Sequence, residues 1–111
     1  MTKQKEKGNR FFSEEDAQSI LGKTLLVGVT YKNNSEEIIE VEQFYGTIIR
    51  ASEKEGIIIR LGETGEERWV PPDLAAIETA IPGHYHLKST GEVIINPDLL
   101  TTWIVHLPSN K

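Results

Sequence analysis

The chain has 111 residues, no cysteine and a formal net charge of −5. This length predicts one domain with its own core, and the lack of cysteine excludes disulfides and thiolate metal sites. The polar N-terminus has no apolar stretch typical of a secretory signal, and no apolar run approaches the roughly 20 residues of a membrane span. We therefore expect a cytoplasmic protein that makes no membrane contact.

The charge is divided unevenly along the chain. Residues 1–10 carry four cations and one acid, a net of +3, and the other residues carry 16 acids against 8 Lys and Arg, a net of −8. We predict that residues 1–10 form a disordered basic tail and that residues 11–111 form a single β domain. An acidic body disfavours nucleic acid and favours a basic protein partner, although moderate acidity also serves solubility alone.

A short helix is predicted over residues 14–21. The Ser13 hydroxyl can cap the first turn, and Asp16 stands where the reciprocal acid of a capping box would lie. Gly22 then provides a suitable C-terminal stop, since glycine adopts positive φ without strain.

From Thr24 onward the apolar residues alternate with a period of two, which indicates strands. Gly46 is expected to mark a bend or bulge in a long second strand. Pro71-Pro72 precedes one predicted helical turn near residues 72–79. The regular spacing and short loops predict a mostly-β fold, a small antiparallel barrel or sandwich of six to eight strands with a short N-terminal helix. The predicted strands cover residues 24–31, 38–51, 57–61, 66–70, 84–87, 93–95 and 101–107.

The three histidines are the candidate metal ligands. His84 and His86 share one face of a predicted strand, but nothing in the sequence places His106 beside them, and solvent-facing histidines explain the pattern equally well. The chain also lacks the G-x-S-x-G, G-x-G-x-x-G and G-K-[ST] motifs. We therefore predict no catalytic residue, no bound metal and no cofactor, and a protein that is not an enzyme.

The strongest electrostatic feature is a group of four glutamates around the start of the second strand. They offer a landing surface for a basic protein, or they protect an exposed strand from edge-to-edge aggregation. Trp69 and Asp73, beside the rigid Pro71-Pro72 segment, are further candidate contacts, because tryptophan is enriched at interface hot spots. The predicted partner-binding residues are Glu36, Glu37, Glu40, Glu42, Trp69 and Asp73.

Two resemblances extend this interpretation. The hairpin at residues 46–61 resembles the central hairpin of SH3-like and Sm-like barrels, but the basic, Asn- or Asp-bearing loop of the RNA-binding members is missing. More broadly, the chain resembles a family of small, uncharacterised bacterial proteins through the segments Gly22–Tyr31, Gln43–Gly46, Pro71–Leu74, Pro82–Val93, Asn96–Asp98 and Thr102–Trp103 taken together. In size, acidity and single-domain organisation these are similar to bacterial immunity proteins, which bind a toxin domain and block it.

The sequence thus predicts a non-enzymatic, acidic protein-binding module, and more specifically a toxin-neutralising immunity protein with a basic toxin domain as partner. Two alternatives stay open. One is a small-ligand or metal-binding β domain that uses residues 84–86 and the Pro-Pro-Asp loop. The other is an RNA- or ribosome-associated module that acts through the basic tail.

Overall fold

One short helix precedes eight strands in the described part of the chain, which comprises residues 13–62 and 64–108 of a computed structural model. The predicted disordered tail, residues 1–10, lies outside the described residues. A 3₁₀ turn at Leu74–Ala76 precedes the fifth strand, inside the segment where one helical turn was predicted. The elements are α1 (Glu14–Ile20), β1 (Thr24–Lys32), β2 (Ile38–Ser52), β3 (Gly56–Leu61), β4 (Glu67–Val70), β5 (Ile77–Thr79), β6 (His84–His86), β7 (Val93–Ile95) and β8 (Leu99–His106).

Helix α1 begins with the capping box that the sequence predicts. The Asp16 amide donates to the Ser13 Oγ over 3.1 Å, and the Ser13 amide donates to the Asp16 carboxylate over 3.0 Å. Both groups would otherwise lack partners at a helix start. Ala17 and Ile20 are buried and join the main core, so the helix packs its apolar stripe onto the sheet.

The main sheet has six strands in the order β4-β3-β2-β1-β8-β5, and β6 and β7 form a separate hairpin. The mostly-β class is confirmed. Of the predicted barrel or sandwich, a closed barrel is not formed, because β4 and β5 end the sheet as separate edges. The expectation of antiparallel pairing throughout is also wrong, since β1 and β8 are parallel. The resemblance of this fold to an SH3-like barrel stays a prediction.

A reciprocal contact between the starts of β1 and β8 fixes their parallel register. The Thr24 amide and hydroxyl both donate to the Asp98 carboxylate, over 2.9 and 3.1 Å, and the Asp98 amide donates to the Thr24 Oγ1 over 2.9 Å. The Thr24 contacts lower the pKa of the Asp98 carboxyl, because they favour its charged form. These contacts join residues 74 positions apart, a pairing that no local pattern predicts.

Each face of the sheet carries its own cluster of buried side chains. The helix face carries Leu25 and Val27 from β1, which pack with α1 and with apolar residues of β2 and β3. The opposite, hairpin face carries Leu26, which packs with Leu87 and Ile94 from the β6–β7 hairpin. Helix and hairpin therefore cover the same end of the sheet from opposite sides.

Gly46 pairs with Leu61 and lies against the backbone of β3. A Cβ atom at this position would stand 2.4 Å from the Arg60 carbonyl oxygen, so only glycine fits without a backbone shift. The bulge expected near Gly46 falls a little further on, between Ile48 and Arg50. Within residues 13–62 and 64–108, no helix has the length and apolar content needed to cross a bilayer.

Candidate functional site

Three strands extend beyond the rest of the sheet. Strand β3 pairs with β2 only from Gly46 onward, and β5 pairs with β8 only up to Thr101. The remaining ladder joins residues 29–32 of β1 to residues 38–42 of β2 and residues 103–106 of β8. We call this three-stranded part the distal end, and the part covered by α1 and the β6–β7 hairpin the proximal end.

The distal end exposes large apolar side chains on β2 and β8. Ile38 is 63% exposed and Ile104 is 57% exposed, which is unusual for residues on a regular strand. Clustered exposed apolar residues, unlike scattered ones, mark interaction sites. The exposed apolar residues of the distal end and its border are Ile38, Ile39, Val41, Ile104, Val105 and Leu107.

An aromatic groove of about 240 Å³ runs along the helix face into the distal end. Val29 and Tyr31 of β1 lie between Trp103 and Val105 of β8 on one side and Phe44 of β2 on the other. The Trp103 Nε1 is buried and has no hydrogen-bond partner among the described residues. An unsatisfied buried donor costs about 1–3 kcal/mol, so this wall of the groove is not optimised for stability alone.

The Glu42 carboxylate contacts both Tyr31, which lines the groove, and Arg68 on the edge strand β4. The carboxylate lies 3.0 Å from the Arg68 Nη1 and accepts a hydrogen bond from the Tyr31 hydroxyl over 3.1 Å. The Arg68 hydrogen bond lowers the pKa of the Glu42 carboxyl below its ordinary value, against the opposing effect of burial. Burial raises the pKa of the Tyr31 phenol, and Glu42 adds to that rise. The Arg68 guanidinium also lies 4.0 Å from the centroid of the Phe44 ring.

The four predicted glutamates lie at the distal end and its turn, but they do not form one bare acidic surface. Glu42 is paired with Arg68, and Glu36 lies 3.5 Å from the Lys32 Nζ and 3.2 Å from the His106 Nε2. Glu37 accepts a hydrogen bond from Asn33, and Glu40 has no ion pair with another described residue. Two of the four charges are therefore compensated, and those of Glu37 and Glu40 are not.

Trp69 and Asp73 have local structural partners. The Trp69 indole N–H donates to the Glu55 carbonyl over 2.9 Å, and its ring lies over Gly56, although the residue is 58% exposed. The Asp73 carboxylate accepts a hydrogen bond from the Ala75 amide and caps the 3₁₀ turn. Trp69 borders the groove through the strand it shares with Arg68, whereas Asp73 does not line it.

The histidines do not meet in the described structure. His84 and His86 are exposed on β6, and His106 is on β8 beside Glu36. Within residues 13–62 and 64–108, no three His, Cys, Asp or Glu side chains are grouped to hold a metal ion.

Sequence reasoning missed the groove residues Arg68, Trp103 and Val105. Alternation along each strand does show which side chains share a face, so Trp103 could be matched with Val105. Their position beside Val29 and Tyr31 depends on the parallel β1–β8 pairing, which is set by residues far apart in the chain.

Comparisons of the chain with protein-family models, with curated proteins and with solved structures found no match. The resemblances to immunity proteins and to SH3-like barrels therefore stay predictions.

Proposed function

We propose that the chain is a non-enzymatic protein-binding module whose distal end holds a basic segment of a partner. The observation that supports this best is a pair of adjacent rows of side chains across three strands on the helix face. Glu40, Tyr31 and Val105 are neighbours in one row, and Glu42, Val29 and Trp103 are neighbours in the next. Carboxylates thus stand directly beside an apolar and aromatic groove.

This arrangement suits a lysine or arginine side chain of the partner. The aliphatic stem of such a residue would pack on Val29 and Val105, and its cation would lie near the uncompensated Glu40. The ring of Tyr31 adds a favourable contact for a cation. The acidic body would speed the approach of a basic partner and fix its orientation, while the apolar contacts would slow its dissociation.

The proposal includes the narrower function of toxin neutralisation. A small acidic domain that covers a basic active site needs carboxylates beside apolar anchor residues, and the distal end carries Glu37 and Glu40 beside exposed apolar side chains. Inhibition would be steric and electrostatic, and would involve no bond-making by this chain. A gene for a large secreted protein with a basic C-terminal toxin domain, directly beside the gene for this chain, would identify the partner.

Charge reversal tests the binding surface. The substitution Glu40→Lys should weaken binding of arginine-containing peptides with alternating aliphatic residues by at least about tenfold, measured by calorimetry. The matched control is Glu53→Lys, in the β2–β3 turn at the opposite end of β2, which should bind as the unmodified chain does. If both substitutions weakened binding equally, the effect would come from the net charge of the chain rather than from the distal end. That result would contradict the proposal.

The toxin hypothesis has its own readout. If the adjacent gene encodes a toxin domain, co-expression of the chain with that domain should restore growth, and Glu40→Lys should abolish the rescue while Glu53→Lys preserves it. Turnover of any substrate by the purified chain, abolished by changing one side chain, would contradict the non-enzymatic assignment.

A further inference from the structure

The outer edge of β2 is open along the distal end. Strand β3 pairs with β2 from Gly46 onward, and none of the other described strands pairs with that side of β2 before Gly46. A recess of about 500 Å³ lies beside this edge instead, and Gln43, Arg68 and Ser89 are among the residues that line it. This part of β2 is therefore a strand edge that faces open space.

The chain itself satisfies the outward backbone groups of Gln43. The Gln43 amide donates to the Ser89 Oγ over 3.3 Å, and the Ser89 Oγ donates to the Gln43 carbonyl over 3.5 Å. Gln43 thus turns both backbone groups away from β1. Because this direction alternates along a strand and the β1–β2 register is regular from Thr24 to Tyr31, Val41 turns its amide and carbonyl outward as well. None of the described strands reaches these two groups of Val41.

The chain also supplies a cation to Glu42, on the same edge. The Arg68 guanidinium reaches across from β4, 3.0 Å from the Glu42 carboxylate and over the ring of Phe44. Glu40 lies two residues away from Glu42 on the same face, and it has no ion pair with another described residue. One two-residue repeat of the edge is thus completed by Ser89 and Arg68, and the next repeat, Val41 with Glu40, is not.

We propose that an extended segment of the partner completes this next repeat as a short antiparallel strand beside β2. The assignment rests on the proposed function and specifies how the basic segment is held. An aliphatic residue of the segment exchanges both backbone hydrogen bonds with Val41, as the Ser89 hydroxyl does with Gln43. The residue that follows it is a lysine or arginine, whose cation pairs with Glu40 as Arg68 pairs with Glu42.

Charge complementarity selects a basic segment for this edge. In antiparallel pairing Glu40 takes a non-hydrogen-bonded position, where the side chains of opposite strands approach most closely. A cation opposite Glu40 makes a favourable cross-strand pair, whereas an acid there is destabilising. On the other face Val41 is 46% exposed, so an aliphatic residue opposite it buries apolar surface of both strands. The glutamate that protects this edge from acidic strands, including those of a second copy, thereby specifies a basic one.

Titration of the full chain with the peptide acetyl-Val-Arg-Val-Arg-amide, followed by amide NMR, tests the pairing. Binding should shift the amide resonance of Val41. N-methylation of both valines should weaken binding at least about tenfold, because the valine opposite Val41 loses its hydrogen bond to β2. The matched control is N-methylation of both arginines. This control should bind as the unmethylated peptide does, because the arginine amides point away from β2 in an antiparallel strand.

Two proline variants locate the pairing on the chain. Val41→Pro removes the outward amide of the β2 edge and should weaken binding at least about tenfold. The control is Ile104→Pro, at the opposite edge of the distal end. The Leu107 amide donates to the Lys32 carbonyl, so by the same alternation the Ile104 amide points outward, and β5 pairs with β8 only up to Thr101. Proline is tolerated at such edge positions, and circular dichroism would verify that both variants are folded.

The outcomes separate this assignment from the proposed function. Binding that valine methylation leaves unchanged would overturn the added strand, because side chains alone would then hold the peptide, and the proposed function would stand. Loss of binding in Ile104→Pro but not in Val41→Pro would overturn it as well, since the strand would then lie on β8. A loss caused by arginine rather than valine methylation would indicate parallel pairing and contradict the register. Failure of the unmethylated peptide to bind would contradict both the added strand and the proposed function.

Discussion

The proximal and distal ends of the sheet share the same three central strands but differ in how they are covered. At the proximal end Leu25, Ile57 and Ile59 are fully buried, and α1 and the β6–β7 hairpin cover opposite faces. At the distal end the same kinds of side chain are exposed, as Ile38 and Ile104 illustrate. This difference indicates that the proximal end supplies most of the folding free energy, which leaves the distal end free to bind.

The largest expected effect compares one isoleucine from each end. Ile59→Ala should lower the free energy of unfolding by about 3 kcal/mol, because it leaves a cavity in a closed core. Ile104→Ala should change it by less than about 0.5 kcal/mol, since that side chain is exposed. Urea denaturation measures both. Comparable losses would mean that the distal end also stabilises the fold, and the division into two regions would fail.

Alanine substitutions at two glycines compare how tightly the backbone is packed in the two regions. Gly46→Ala should cost about 2 kcal/mol, because the new Cβ would stand 2.4 Å from a backbone oxygen of β3. Gly28 lies further toward the distal end, and its Cβ would meet only the Thr102 Cγ2 at 3.6 Å, an ordinary contact. Gly28→Ala should therefore be neutral or slightly stabilising in thermal denaturation. A large loss at Gly28 would show that the β1–β8 ladder is packed as tightly as the β2–β3 ladder.

These differences also mark what could be predicted from the sequence. The cap at Ser13 and Asp16, the strand alternation from Thr24 and the hairpin at residues 46–61 are local features, and the structure contains all of them. The parallel entry of β8 beside β1 depends on the Thr24–Asp98 contact, across 74 positions, so the expectation of antiparallel pairing throughout was wrong.

The candidate site was predictable only in part, for the same reason. The sequence showed the four glutamates but not their neighbours, and the position of Arg68 decides that Glu42 is neutralised whereas Glu40 is not. Arg68 reaches Glu42 because β3 pairs with both β2 and β4, which sets β4 beside the groove. Residue type thus indicated the acidic character, and only tertiary pairing showed which charges stay available to a partner.

The smallest expected effect concerns the ion pair that ties the distal end to β4. The Glu42 carboxyl has its pKa lowered from an ordinary 4.5 in the folded chain, chiefly by its hydrogen bond to Arg68. Its charged form therefore stabilises the fold fully above about pH 4.5, and this contribution is lost as the pH falls through the lowered folded value. Because both side chains are partly exposed, Glu42→Gln should cost below about 1 kcal/mol at neutral pH.

The pH dependence separates this pair from a general charge effect. The difference in unfolding free energy between the unmodified chain and Glu42→Gln should be constant above pH 4.5 and shrink below it. Glu53→Gln is the control, since Glu53 has no ion pair with another described residue, and its difference should stay near zero throughout. A difference for Glu42→Gln that persists undiminished in acid would mean that the glutamate acts through packing rather than charge. The distal end would then be held to the proximal end more firmly than its exposed surfaces indicate.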